Sequence, residues 1–355
     1  MKIELEKLDK NFKQDSVLDL ENLKYHYYLS GEFSVSGADH YSETGKCLVR
    51  LPEEVLEKVK AEAGNDGVYR LAHTPAGVRL RFKTNSPYIA VKSVCEASAN
   101  GYFSFDLYER IGCYYKHIKN LAGNGNYSNF ENFANVGGGS LREYEIQFPF
   151  CICVNDVYIG LKEGSVIQKG SDYYYTDPIV FYGSSITHGL LSFRPGNAYT
   201  AIISRRLCAE YINLGFSGNA KGEKAMAEYI ASLKMSAFVL DYDHNAPNPE
   251  HLAATHEDFF KTVREKNPTL PIVVVSRPNT LYNTLDDAKR RQIIFKTYLN
   301  AKTAGDNNVY FVDGSSFLLS DTADTQIIDQ CHPSEGGFLR MAEVIGGVLK
   351  FAIKR

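Results

Sequence analysis

A chain of 355 residues exceeds what a single hydrophobic core usually holds, so two domains are expected. With 44% hydrophobic and 23% charged residues, a net charge of −3 and no basic cluster interleaved with aromatics, the composition is that of an ordinary globular protein and argues against a nucleic-acid partner. No apolar run approaches a membrane span, and the first ten residues alternate charged and apolar types without a secretion-signal core, so a cytoplasmic protein with no membrane partner is expected.

Seven cysteines without zinc-ligand spacing fit reduced thiols and call for no metal. From Leu23 to about Gly160, short alternating runs are punctuated by Gly, Asn and Pro, the pattern of an antiparallel sandwich. Val78, Leu80 and Phe82 alternate with Arg79, Arg81 and Lys83, and after Asn85-Ser86-Pro87 the run from Tyr88 to Val94 continues, which predicts a hairpin. Tyr102 to Tyr108 and Tyr114 to Ile118 read as further strands. The Asn- and Gly-rich stretch 120–139 reads as loop, and Cys151 and Cys153 as neighbours on one strand face. Pro52, followed by Glu53, Glu54, Val55, Leu56 and Val59, opens one helix that ends near Gly64. The stretch 164–176 reads as a linker, which places a sandwich at 1–165 and a second domain at 166–355.

The second domain starts with an unalternated run, Ile179 to Tyr182, as in a parallel strand covered on both faces. Gly183 stops it, and Ser184 and Ser185 follow on what is either an ordinary turn or a turn presenting a nucleophile at the sheet edge. Strands at 211–214, 237–242, 272–276 and 309–312 then alternate with helices at 198–209, 224–233, 250–266, 286–303 and after Pro333. That order implies a doubly wound parallel sheet of five strands.

The loops after these strands carry the chemistry. One is Asn213 to Asn219, with Gly215 and Gly218; another is Asp241 to Asn245; the last is Asp329-Gln330-Cys331-His332-Pro333. A serine hydroxyl needs a base, and His332 is one; the base needs an orienting group, and Asp329 stands three residues before it. Gly218 N–H, the Asn245 amide and the Ser185 N–H are candidate donors to an oxyanion. Arg194, Tyr199 and His244 are candidates for substrate contact, and Cys331 reads as a packed thiol.

Gly183-Ser184-Ser185-Ile186, Gly215-Phe216-Ser217-Gly218-Asn219, the Asn245 block and Asp329-x-x-His332-Pro333 resemble, in order, the four signature blocks of the SGNH (GDSL-like) hydrolases. The resemblance spans roughly 179–355 and implies a flavodoxin-like fold, ester hydrolysis without a cofactor, Ser185 as nucleophile, Gly218 and Asn245 as oxyanion donors, and Asp329 and His332 as the remaining triad members. Ser184 stands where many members carry Asp, and Asp243-His244-Asn245-Ala246 departs from the usual Gly-x-Asn-Asp. The order of a sandwich (jelly-roll-like) before an SGNH domain is similar to carbohydrate esterase family two, whose members remove O-acetyl groups from sugars. An acetylated sugar or oligosaccharide is the expected substrate. Because some sugar esterases work with a Ser-His dyad, the resemblance leaves the role of Asp329 open. An acyl-lipid esterase and a non-catalytic carbohydrate-binding protein are the competing readings.

Overall fold

The computed structural model describes residues 22–42, 47–95, 103–122, 130–278, 285–318, 323–329 and 331–353. In its C-terminal half the strands Ala209–Gly215, Tyr175–Gly183, Ala237–Asp241, Ile272–Val275 and Val309–Val312 lie side by side in that order, all parallel. Numbered along the chain the order is 2-1-3-4-5, the flavodoxin-like arrangement expected. The strands are mainly apolar because both faces are covered, and their alternate side chains point to opposite layers. Val180, Tyr182, Leu214, Phe238, Leu240 and Val274 pack with Met226, Ile230, Leu252 and Phe259 on one side. Ile179, Phe181, Tyr211, Val239 and Val273 pack with Tyr199, Ile203, Phe338, Met341 and Ile345 on the other. Each such side chain contributes about 1.5–3 kcal/mol by leaving water, which makes this sheet a stiff platform for the loops at its C-terminal edge.

The N-terminal half is a sandwich of two antiparallel sheets. One orders Leu23–Tyr27, Val154–Lys162, Tyr88–Cys95 and Phe130–Asn135; the other orders Ile167–Lys169, Arg79–Thr84, Arg142–Gln147, Ser104–Ile111 and Tyr114–Ala122, with Ser34–Ser36 also paired to Arg79–Thr84. Leu80, Phe82, Ile89, Val91, Phe105, Leu107, Tyr144, Ile146 and Ile159 fill the space between them.

Four local expectations change. Arg79–Thr84 and Tyr88–Cys95 belong to different sheets, so Asn85-Ser86-Pro87 is a corner and not a hairpin turn. Ser86 holds it, its Oγ donating to Tyr88 O (2.6 Å) and accepting from Lys162 N (3.0 Å). The stretch read as loop contains the end of one strand, through Ala122, and all of another, Phe130–Asn135, in which Phe130 and Ala134 alternate into the core. The stretch read as linker contains Ile167–Lys169, paired to Arg79–Thr84. Cys151 and Cys153 precede the strand Val154–Lys162 and share no strand face. Tyr102 lies outside the described residues.

The predicted helix forms at Glu53–Ala63, with Pro52 as its N-cap and Gly64 (φ +64°) ending it in the left-handed conformation. Its apolar face does not join the sandwich. Val55, Leu56 and Val59, with Val68 and Ala72 of the next helix, Gly67–Ala72, enter the layer of Met226 and Ile230. The segment between Val49 and Arg79 is therefore an excursion of the N-terminal half onto the α/β sheet, and it ends beside the sheet's C-terminal edge.

Candidate active site

Ser185 begins a four-residue helix, Ser185–His188, that starts directly after the strand Tyr175–Gly183. A Cβ on Gly183 would stand 2.1 Å from Thr187 Oγ1 and 2.5 Å from Asp241 O, so only glycine fits the bend. Ser184 is the N-cap: its Oγ accepts from Ile186 N (3.2 Å). The cap aims Ser185 Oγ outward, 2.8 Å from His332 Nε2.

His332 comes from the turn before the helix Glu335–Ile353, a turn closed by Ile328 N donating to His332 O (2.9 Å). Asp329 organises this turn with both oxygens. Oδ1 accepts from the backbone N–H of Cys331 (2.7 Å) and of His332 (2.6 Å), while Oδ2 faces His332 Nδ1 at 2.8 Å. Partial burial works to raise the Asp329 pKa, but the hydrogen bonds from His332 and Cys331 outweigh it and hold the carboxyl below its usual value.

Facing Ser185 across the edge are the two other loops. Gly215 is required because a Cβ there would stand 2.2 Å from His188 N, and Gly218 has φ +71°. Asn245, in the turn Asp243–Asn245, donates from Nδ2 to Phe216 O (2.9 Å), which ties its loop to that of Gly218 and leaves the second amide hydrogen free to point elsewhere. Asp243 braces the same turn by accepting from Arg277 N (2.9 Å) and pairing with Arg290 Nη1 (3.2 Å). His244 lies with Nδ1 3.6 Å from Cys331 Sγ, and its Nε2 is buried with no hydrogen-bond partner among the described residues. Burial first, and then the charge of Arg277, pushes its pKa down to about 3, so it is a neutral ring at neutral pH.

Tyr199 is corrected as a candidate for substrate contact. It is fully buried, and its hydroxyl donates to Asp241 Oδ2 (2.8 Å), which also accepts from Thr187 Oγ1 (3.0 Å). Tyr199 is thus part of the floor beneath the Ser185 helix. Arg194 points to the sandwich, with Nη1 3.2 Å from Asp106 Oδ2 and 3.0 Å from Tyr108 Oη, while Gly196 N donates to the same carboxylate (2.9 Å). Nearby, Ser192 and Asn248 bond within the protein: Ser192 Oγ to Gly189 O, and Asn248 as the cap of the helix Pro249–Lys266.

Several contributors had no sequence signal. Asn213 donates to Thr187 O (2.8 Å) and accepts from Gly215 N (2.8 Å), and His188 reaches Ser217 Oγ (2.9 Å). Arg50, from the N-terminal excursion, contacts the same loop, and Thr74 reaches it only through His188. Among the described residues, no group of three or more His, Cys, Asp or Glu is arranged to hold a metal ion, and no helix is long and apolar enough to cross a membrane.

Residues 176–350 match the model of the GDSL-like lipase/acylhydrolase family, and residues 23–167 match that of the N-terminal domain of SGNH-hydrolase-type esterases. Among solved structures, a putative GDSL-like lipase from Bacteroides ovatus superposes with a TM-score of 0.77 at 26% identity, over 93% of this chain and 98% of that one. The salicylyl-acyltransferase SsfX3 of a tetracycline biosynthetic pathway superposes at 0.76 with 17% identity, over 91% and 96%. A family two carbohydrate esterase from Clostridium thermocellum, in complex with cellohexaose, superposes at 0.59 with 17% identity, over 78% and 92%. No curated protein sequence matches.

Proposed function

The chain is an SGNH (GDSL-like) hydrolase, a carboxylic ester hydrolase, and we propose that it removes acetyl groups from a carbohydrate through an acyl-serine intermediate. The observation that carries this reading is the relay from Ser185 Oγ through His332 to Asp329, 2.8 Å at each step, at the open edge of the sheet. In the first half-reaction Ser185 Oγ attacks the ester carbonyl carbon while its proton passes to His332 Nε2. Asp329 keeps the other ring nitrogen protonated and stabilises the imidazolium. Gly218 N–H, Ser185 N–H and the second Asn245 amide hydrogen receive the oxyanion, each donor worth roughly 3 kcal/mol of barrier. Collapse breaks the ester bond, the imidazolium protonates the departing sugar oxygen to give the free hydroxyl, and water repeats the sequence on the acyl-serine to release acetate.

The sugar rests on the two-domain architecture shared with the family two carbohydrate esterase. A second reading, an acyl-lipid esterase, has Leu191 and Phe193 in its favour, apolar side chains 38% and 62% exposed on the loop after the Ser185 helix. Rates on acetyl and octanoyl esters, and on acetylated oligosaccharides, decide between them. Acetyl preference that disappears in Ser185→Ala is expected; octanoyl preference selects the lipid reading, and equal rates in wild type and Ser185→Ala remove both.

A further inference from the structure

Arg50 is 2% exposed, and every hydrogen bond it makes goes to a main-chain carbonyl. Nε donates to Thr74 O (2.9 Å), Nη2 to Leu71 O (2.7 Å), and Nη1 to both Asn213 O (2.8 Å) and Gly215 O (2.9 Å). Its guanidinium carbon lies 4.6 Å from the centre of the Phe216 ring. Among the described residues no carboxylate stands within ion-pair distance of it. A buried cation satisfied by dipoles alone is a costly way to hold a fold together, since an apolar side chain of similar volume fills such space more cheaply. What an apolar replacement lacks is the planar fork that fixes several carbonyls at once.

Two of those carbonyls belong to the end of the strand Ala209–Gly215, and the peptide plane of Gly215 O leads directly into Phe216, Ser217 and Gly218. A second strut reaches the same loop. Thr74 Oγ1 donates to Leu71 O (2.8 Å) and lies 3.0 Å from His188 Nε2, while His188 Nδ1 lies 2.9 Å from Ser217 Oγ. With the Thr74 proton committed to Leu71, the ring donates from Nε2 to Thr74 and accepts the Ser217 hydroxyl proton at Nδ1. That polarity needs a neutral imidazole, and burial, followed by the Arg50 charge, holds the His188 pKa well below its ordinary value. Arg50 and Thr74 bracket the excursion from the sandwich half onto the α/β sheet. The loop is thus gripped from one side by Arg50 and Thr74 and from the other by Asn245, whose amide bonds Phe216 O.

We infer that Arg50 is a positioning residue of the oxyanion hole, holding the Gly215–Gly218 loop so that Gly218 N–H faces the reacting carbonyl, and that the N-terminal half is in this way part of the catalytic unit. The inference rests on the esterase reading given above. Arg50 touches no reacting atom, and its effect passes through the peptide planes it holds.

The test compares wild type, Arg50→Met, Arg50→Lys and Thr74→Val on 4-nitrophenyl acetate, with the inhibition constant of phenylboronic acid, which forms a tetrahedral anion on the serine. Removing one oxyanion donor lowers kcat by roughly 100- to 1,000-fold, so displacing one by loosening its loop is expected to cost about 10- to 100-fold in Arg50→Met. KM should stay within about twofold and the boronate constant should rise in step with the loss in kcat. Arg50→Lys keeps the charge but not the fork and should fall between Met and wild type. A role confined to folding would lower the active fraction without moving the boronate constant of the folded enzyme, and that result overturns the inference, as does an unchanged kcat. If Arg50→Met does not fold, Thr74→Val, which removes only the hydroxyl of the second strut, decides by the same two readouts. Wild type that shows no Ser185-dependent hydrolysis overturns the esterase reading and this inference together; an active wild type with unaffected variants overturns this inference alone.

Discussion

Replacing Asp329 with asparagine should harm the enzyme more than replacing it with alanine, an inversion of the usual ranking that follows from the hydrogen bonds of this one carboxylate. Oδ1 accepts from two backbone N–H groups, of Cys331 (2.7 Å) and His332 (2.6 Å). An asparagine must keep its carbonyl oxygen at that position, because an NH2 group there would face two donors. Its amide nitrogen is then turned toward His332 Nδ1, where it can only donate. Nδ1 becomes an acceptor, the ring proton moves to Nε2, and the nitrogen 2.8 Å from Ser185 Oγ can no longer take the serine proton. A tautomer locked in the wrong form costs on the order of 10⁴ in kcat, the scale known for a buried serine-protease triad. Alanine leaves the tautomer free; it removes the charge-assisted hydrogen bond to the ring, worth roughly 1.5–3 kcal/mol or about 10- to 150-fold, together with the acceptor of the Cys331 and His332 N–H groups. The Asp329 side chain is 46% exposed, so water screening places the alanine loss near the lower end, about tenfold to thirtyfold. Steady-state kcat on 4-nitrophenyl acetate, with melting temperatures to confirm folding, measures both. An asparagine variant within tenfold of wild type, or one faster than the alanine variant, would refute the reasoning and make Ser185 and His332 a dyad.

Gly215→Ala should lower the melting temperature and activity together, because its Cβ would sit 2.2 Å from the His188 backbone nitrogen, and one of the two segments must move by more than an ångström; a variant with unchanged melting temperature would contradict the close approach. Asp241 is fully enclosed, and burial raises its pKa to about 7. The folded state therefore binds more protons than the unfolded one between about pH 4 and pH 7, so this group's contribution to stability declines as pH rises through that window and is fully lost above it. Asp241→Asn should flatten that decline, measured as the change in melting temperature between pH 4.5 and 7.5, and an identical slope in both proteins would show that Asp241 is ionised throughout.

The α/β sheet and the position of its loops were legible because parallel strands covered on both faces show unalternated apolar runs, and each of these ends in a glycine or polar residue at the same edge. Ser185, Asp329, His332, Gly218 and Asn245 were visible for a related reason: each lies in a turn, loop or helix start where a strand meets the following helix or just before a helix. The sandwich was legible as a class but not in its pairing. Alternation in Arg79–Thr84 and Tyr88–Cys95 shows that each has a buried face, yet a corner and a hairpin leave the same pattern, and what separates them is Ser86 bonding to Lys162, 76 residues away. The strand Phe130–Asn135 was hidden because it carries only two core residues, set four apart, with no apolar alternation between them. Tyr199 was misassigned because proximity in sequence to Ser185 says nothing about which side of a helix faces solvent, and the helix Tyr199–Leu207 turns this residue inward.

Arg50 shows a different limit. Its partners on the loop lie 163 and 165 residues further along the chain, and they are carbonyl groups, which every residue has. No spacing or residue type at Asn213 or Gly215 records that a guanidinium is bound there, and the stretch around Arg50 reads only as the approach to a helix. Side chains that perform chemistry are recognisable because the reaction restricts their type, whereas a side chain that holds peptide planes answers to geometry that exists only after folding. The same distinction bears on the N-terminal half. Read as a sandwich it suggests a separate carbohydrate-binding module, but the excursion between Val49 and Arg79 contributes Val55, Leu56, Val59 and Val68 to the α/β core and delivers Arg50 to the loop of Gly218. A module that could be detached would leave that apolar face and two main-chain carbonyls exposed at the centre of the site, so the two halves are expected to fold and act as one unit.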